Sequence, residues 1–447
     1  MKLWQKDTSP EARIEAFTVG KDRELDLLLA PFDVLGTLAH IEMLTHIGLL
    51  EEEELPVLQK ALRTIFKKIE AGEFEIQAGV EDVHSQVEFM LTHELGDLGK
   101  KVHSGRSRND QVLLDLKLYF LHEIHALSKL VLALFEQLLT LSDQHKDMLM
   151  PGYTHTQVAM PSSFGLWFGA FAESLTDDML QLQTAFRIAN QNPLGSAAGY
   201  GSSFPLDREM TTRLLGFETL AYNVIYAQMG RGRTEKTLAF ALASLGSTLN
   251  KLASDICLYM SQNFGFLTFP DELTTGSSIM PHKKNPDVFE LIRAKSNRFQ
   301  ALPNEVGFIT TNLITGYHRD LQLIKEIMLP AIEDMKDCVS ITTYMLANIQ
   351  VKEEVLQASI YEYLFSVEAV NREVLSGVPF REAYVKIGRA IEQGEFTADR
   401  SVVHTHLGSI GDLAHKAIRQ KMSTSTAGIE FEPFLRARKK LLGQQEG

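Results

Sequence analysis

Between Asp110 and Met150 the chain contains neither glycine nor proline, and Leu, Val, Phe, Ile and Ala recur at helical spacing among scattered charges. This stretch predicts one very long helix, and at 1.5 Å per residue it would run roughly 50 Å or more, beyond the girth of a small domain. Asn109 or Asp110 is expected to cap its start, and Pro151-Gly152 follows its end. Its middle, Leu127 to Phe135, is apolar nearly all round and so requires burial on several sides, as in a multi-helix or intersubunit core. Helix-length stretches also run from Ser162 to Asn190, Arg233 to Phe264, Asp287 to Phe308 and Leu321 to Gln350, while strand-like alternation is scarce. The expected fold is all-α: a bundle of long helices over 105–352, shorter helices in 1–104 and a small helical unit in 353–447. The run Leu50-Glu51-Glu52-Glu53-Glu54 suits the positive end of a helix, and Arg436-Ala437-Arg438-Lys439-Lys440 reads as a solvated helix face.

Composition narrows the function. A formal net charge of −13 disfavours nucleic acid, whose phosphates need a basic face. The polar start Met1-Lys2-Leu3-Trp4-Gln5-Lys6-Asp7 is unlike a secretion signal, and no later apolar run approaches a membrane span, so a cytoplasmic enzyme without a membrane partner is expected. Cys257 and Cys338 are too few for a disulfide framework or thiolate cluster and read as core residues. The pairs His122/His125 and His404/His406 lack accompanying ligands at zinc spacing, so no metal is assigned.

Three connections between the long helices carry unusual chemistry. In His103-Ser104-Gly105-Arg106-Ser107-Arg108-Asn109-Asp110-Gln111, two guanidiniums and an amide stand beside a helix N-terminus, which suits either a carboxylate cradle or a well-capped surface loop. In Pro151-Gly152-Tyr153-Thr154-His155-Thr156-Gln157, the histidine can serve as an acid or base near neutral pH or can be structural. The third, Thr274 to Pro286, begins with small residues and ends in Lys283-Lys284-Asn285, so it reads as a mobile loop bearing a serine and an ammonium, or as a plain hydrophilic loop. The glycine-rich Pro193 to Ser203 lacks the Lys-Ser/Thr of a phosphate loop and is expected to make tight turns near a site.

The segment Gly276-Ser277-Ser278-Ile279-Met280-Pro281-His282-Lys283-Lys284-Asn285-Pro286 closely resembles the signature of the fumarase/aspartase superfamily. Within it, Ser104-Gly105-Arg106-Ser107-Arg108-Asn109-Asp110-Gln111-Val112 resembles the first active-site segment of argininosuccinate lyases, and Gly152 to Gln157 the second. Tyr317, Gln322 and Lys325 are similar to that family's substrate motif, and Gly377-Val378-Pro379-Phe380-Arg381-Glu382-Ala383 to its C-terminal one. The chain departs from the family at His282, Thr156, Met160, Leu3-Trp4-Gln5-Lys6 and Phe17-Thr18-Val19-Gly20.

The resemblance implies a homotetramer around a core of long helices, with each active site drawn from three subunits. It implies a β-elimination that yields arginine and fumarate from argininosuccinate without metal or organic cofactor. Ser277 would be the base at the succinyl carbon, His155 would assist the departing guanidine, Glu290 would orient His155, and Lys283 would stabilise developing charge. Ser107, Arg108, Asn109, Thr154, Asn285, Tyr317, Gln322 and Lys325 would bind substrate, with Arg106 as a further cation. His282 alone favours adenylosuccinate lyase, and a lens-crystallin-like relative without activity is opposed by the intact His155, Ser277, Lys283 and Glu290.

Overall fold

A computed structural model describes residues 12–444, so the segment Leu3-Trp4-Gln5-Lys6 lies outside the described residues. Six helices come first: α1 (Ala12–Val19), α2 (Asp22–Leu25), α3 (Ala30–His46), α4 (Glu54–Glu70), α5 (Val83–Leu95) and α6 (Asp97–Lys101). The α4 helix buries Leu58, Ala61, Leu62, Ile65 and Phe66, a stripe at three- and four-residue spacing, and leaves its lysines outside. Its acidic start behaves as expected: the Glu51 N–H donates to the Glu54 carboxylate at 3.0 Å.

The long helix is α7, Arg108–Gln144, 37 residues and about 55 Å in length. Its N-cap is Ser107 rather than Asn109 or Asp110. Ser107 Oγ accepts the Asn109 N–H at 3.2 Å while the Asp110 carboxylate accepts the Ser107 N–H at 2.9 Å, so Asp110 takes part in the cap from inside the first turn. Over part of its length α7 is long and apolar enough to cross a membrane, a run the sequence reading did not pick out. Here it is a core helix that buries Asp115, Lys117 and Glu123 among protein groups.

Beyond α7, Pro151-Gly152 follows the helix as expected but lies in a hairpin, β1 (Leu149–Thr154) against β2 (Gln157–Ser163), with Pro151 opposite Pro161 and Thr154 opposite Gln157. Next come α8 (Phe164–Ala189), capped by Ser163, then α9 (Arg208–Leu215), α10 (Val224–Met229) and α11 (Arg233–Met260). The single helix expected over Asp287–Phe308 is two, α12 (Asp287–Phe299) and α13 (Leu302–Thr310). Pro303 lacks an N–H and is accommodated in the first turn of the second. The α14 helix (Leu323–Ala347) tolerates Pro330 inside it.

Helix α7 packs on α8, α8 on α11, α11 on α12 and α14 on α7, around a core that includes Phe120, Phe135, Phe164, Phe168 and Phe186. The α7–α8 approach depends on Gly165, where a Cβ would stand 2.5 Å from the Ser142 carbonyl oxygen. Of the C-terminal residues, α15 (Ser366–Leu375) and α16 (Phe380–Glu392) pack on each other, whereas α17 (His415–Thr426) lies on α8 and α18 (Glu432–Leu441) on α3 and α9. The basic residues Arg436, Lys439 and Lys440 are exposed on α18, as expected, while Phe434, Ala437 and Leu441 are buried and Arg438 pairs with Glu70 at 3.0 Å and lies over the Phe66 ring. Cys338 is buried and Cys257 half-buried, both as free thiols.

Candidate active site

The N-termini of α5 and α7 converge. Asp82 caps α5 by accepting the Ser85 N–H at 2.8 Å, and the Arg108 guanidinium at the head of α7 reaches Asp82 at 2.8 Å and Glu81 at 2.9 Å. Burial would raise the Asp82 carboxyl, but the charges of His84 and Arg108 outweigh it and hold the group down at about 2. Behind the cap, Asp110 accepts the N–H groups of Gly195 at 3.0 Å and Ala197 at 2.8 Å. The glycine-rich loop thus braces the start of α7 from below, and Gly195 supplies the left-handed backbone that the bend requires (φ +82°).

The opposite wall comes from the start of α14 and the segment before it. Lys325 lies buried between Asp22 at 2.7 Å and Asp26 at 2.6 Å. Gln322 Nε2 donates to the carbonyls of Thr18 at 3.0 Å and Val19 at 3.1 Å, and Arg319 donates to the Thr18 carbonyl and to Glu81. Thr18 and Val19, two of the departures from the family pattern, thus contribute carbonyl oxygens that any residue would supply. Arg108, Asn109, Tyr317, Gln322 and Lys325 line one cavity of about 110 Å³ between these walls. A larger cavity of about 430 Å³ also touches Arg231. Arg106 does not join the site; it is buried against Thr37 Oγ1 at 2.9 Å and the Val102 carbonyl.

Sequence reading missed the acidic half of this cavity: Asp22, Asp26, Glu81 and Asp82, with Arg231 and Arg319. The available signal was the cap Asp82-x-x-Ser85 behind a second acid. Beneath it lies a buried group of Asp33, His84 and Asp115, whose ligand-capable atoms are within 4.8 Å of one another. His84 Nδ1 bonds Asp33 at 2.7 Å and faces Asp115 at 3.5 Å. Burial alone would lower this imidazole, but Asp33, Asp115 and Asp82 together push it up to about 9, so its proton serves as the group's cation at neutral pH.

This gives a testable stability profile. A histidine raised from 6.5 to about 9 stabilises the fold fully below the lower value, and the stabilisation is lost as pH rises through the upper one. The linkage amounts to about 3 kcal/mol. The melting temperature should therefore fall between pH 6.5 and 9.5, and His84→Asn should remove most of that slope. Parallel wild-type and variant profiles would refute the assignment.

The remaining expected residues stand elsewhere on the chain. Thr154 and His155 are at the hairpin tip, where His155 and Thr156 form a two-residue turn with both backbones left-handed (φ +52° and +59°). That geometry matches the twist of a hairpin but is costly for a β-branched residue, and it leaves the His155 side chain exposed. Ser277 and Lys283 lie on an exposed loop closed at its neck by the Thr275–Asn285 bridge. Ser277 Oγ accepts the N–H groups of Met280 at 3.2 Å and Ile279 at 3.4 Å, and Asn285 Nδ2 reaches back to Thr275 Oγ1 and the Gly276 carbonyl. Glu290 faces Arg293 at 3.9 Å on α12. Among the described residues, none of His155, Ser277, Lys283, Asn285 and Glu290 lines the 110 Å³ cavity. Ser107, as the cap of α7, borders it without lining it.

A family model described as Lyase matches residues 13–300. The chain is 59% identical over 441 residues to an argininosuccinate lyase of Parabacteroides distasonis, covering 99% of each chain. It is 39% identical over 383 residues to one from Thermotoga neapolitana, covering 86% of this chain and 96% of the other. Among solved structures, an EDDS lyase in complex with formate aligns with a TM-score of 0.74 at 21% identity, over 98% of this chain and 95% of that one. A class II fumarase from Schistosoma mansoni aligns with a TM-score of 0.72 at 15% identity, over 96% and 95%. These two likenesses concern the fold: long helices in this arrangement.

Proposed function

The chain belongs to the argininosuccinate lyase family of the fumarase/aspartase superfamily, and from that membership we propose that it cleaves argininosuccinate to L-arginine and fumarate, in the cytosol, as a step of arginine biosynthesis. The observation that carries this reading is 59% identity over 99% of both chains.

Chemistry and geometry support the reading in detail. A proton beside a carboxylate is weakly acidic, because its removal places a second negative charge on that group, so the site needs a cationic clamp as well as a base. We assign the base to Ser277, whose Oγ already accepts two backbone N–H bonds of the kind that favour an alkoxide. Lys283 and Asn285 on the same loop would stabilise the carboxylate as the charge develops. The electron pair left on carbon forms the double bond of fumarate while the C–N bond breaks, and His155 gives a proton to the departing guanidine nitrogen. Glu290 would hold His155 in orientation. Ser107, Arg108, Asn109, Thr154, Tyr317, Gln322 and Lys325 would bind the rest of the substrate.

We infer a homotetramer with shared sites from the placement of the expected residues: among the described residues, His155, Ser277, Lys283, Asn285 and Glu290 stand apart from the cavity around Arg108 and Lys325. A hairpin tip and a loop that stand exposed on one chain are suited to complete the cavity of another. Purified protein should release fumarate from argininosuccinate and little or none from adenylosuccinate. The reverse preference would overturn the assignment in favour of the enzyme that His282 suggests, and release from neither would favour a relative without activity.

A further inference from the structure

The cavity between α7 and α14 has an imbalance of charge. Glu81 and Asp82 face Arg108 and Arg319. Arg231 is matched by Glu235 at 3.0 Å, and His84 by Asp33 and Asp115. Lys325 is likewise a single cation between two carboxylates, Asp22 and Asp26. The two acids are not equivalent. Asp26 uses one oxygen on Lys325 and the other on the Val83 N–H at 3.3 Å. Asp22 uses only Oδ1, and among the described residues its second oxygen has no partner.

Resting on the proposed reaction, we infer that Asp22 is a specificity-determining residue that receives the α-ammonium group of the arginine half of the substrate. The ammonium provides the one positive charge this corner lacks and a donor for the open carboxylate oxygen, while Lys325 remains to meet the α-carboxylate beside it. The electrostatics of this corner agree. Burial raises the Asp22 carboxyl to about 6, in part because Asp26 repels it, and Lys325 and Arg231 only partly offset this. A cation that enters the corner restores the ionised form.

The test uses two ligands that differ only at this group: L-arginine and 5-guanidinopentanoic acid, which lacks the amine. As competitive inhibitors of fumarate release at pH 7.5, arginine should bind wild type at least about tenfold more tightly, the discrimination expected when a buried charged acceptor loses its donor. Asp22→Asn should reduce that ratio below about threefold and raise KM for argininosuccinate about tenfold or more, with kcat changed far less. Asp22→Glu, which keeps the carboxylate, should retain most of the discrimination. In wild type alone, the arginine preference should shrink as pH falls through about 6, which tests the inference without any variant. An active enzyme whose preference survives both Asp22→Asn and the drop in pH overturns the inference and leaves the reaction standing. A wild type that releases no fumarate overturns both.

Discussion

Ser277→Ala and His155→Asn are each expected to lower kcat by roughly a hundredfold or more, the scale for a positioned base or acid. The two should differ in their pH behaviour. Without Ser277 the carbon proton has no acceptor, and Lys283 and Asn285 still stabilise a charge that does not form, so kcat should stay low at every pH. Without His155 the guanidine must leave with help from solvent alone, so any residual rate should rise as pH falls. Neither side chain packs in the core: His155 is exposed at the hairpin tip and Ser277 is half-buried on its loop. Both variants should therefore keep the wild-type melting temperature and oligomeric state, which separates lost chemistry from lost fold. Near-normal turnover by either variant removes that residue from the mechanism.

The parts of the molecule legible in the sequence are those set by local rules. The α7 helix could be read because 41 residues pass without glycine or proline, and the acidic run from Glu51 to Glu54 marks the start of α4. Where two local rules competed, the boundary moved. Ser107, Asn109 and Asp110 can all cap a helix, and the structure uses Ser107 and Asp110 together in one capping box. Pro151-Gly152 marks the end of the long helix, yet pairing with Val158–Ser163 draws it into a strand, and the turn falls on His155-Thr156, residues without a turn signature. The acidic half of the cavity was not legible because its contacts cross great sequence separations, with Asp22 and Asp26 about 300 residues from Lys325. A lysine and an arginine in a family motif suggest groups free for substrate. In the fold each is already paired with two carboxylates, and the charge left for the ligand to supply becomes visible only when those acids are counted.

The division of the expected residues between the cavity and the exposed hairpin and loop leads to the most demanding expectation, that His155 and Ser277 of one active site belong to different subunits. If the Ser277→Ala and His155→Asn proteins are dissociated, mixed equally and reassembled, a site is intact when its hairpin comes from the serine variant and its loop from the histidine variant. Random assembly of a symmetric oligomer makes each of these choices correct half the time, so about a quarter of sites should carry neither defect. Activity should then climb from the parental background towards about a quarter of wild type, a rise of roughly twenty-five-fold or more when each parent retains about a hundredth. If one chain supplied both residues to its own site, every site would keep one defect and mixing would recover nothing. Hybrid oligomers can be verified independently by giving one variant an affinity tag and isolating mixed species. Verified hybrids as inactive as their parents would rule out the shared site while leaving the roles of Ser277 and His155 to the single-variant kinetics.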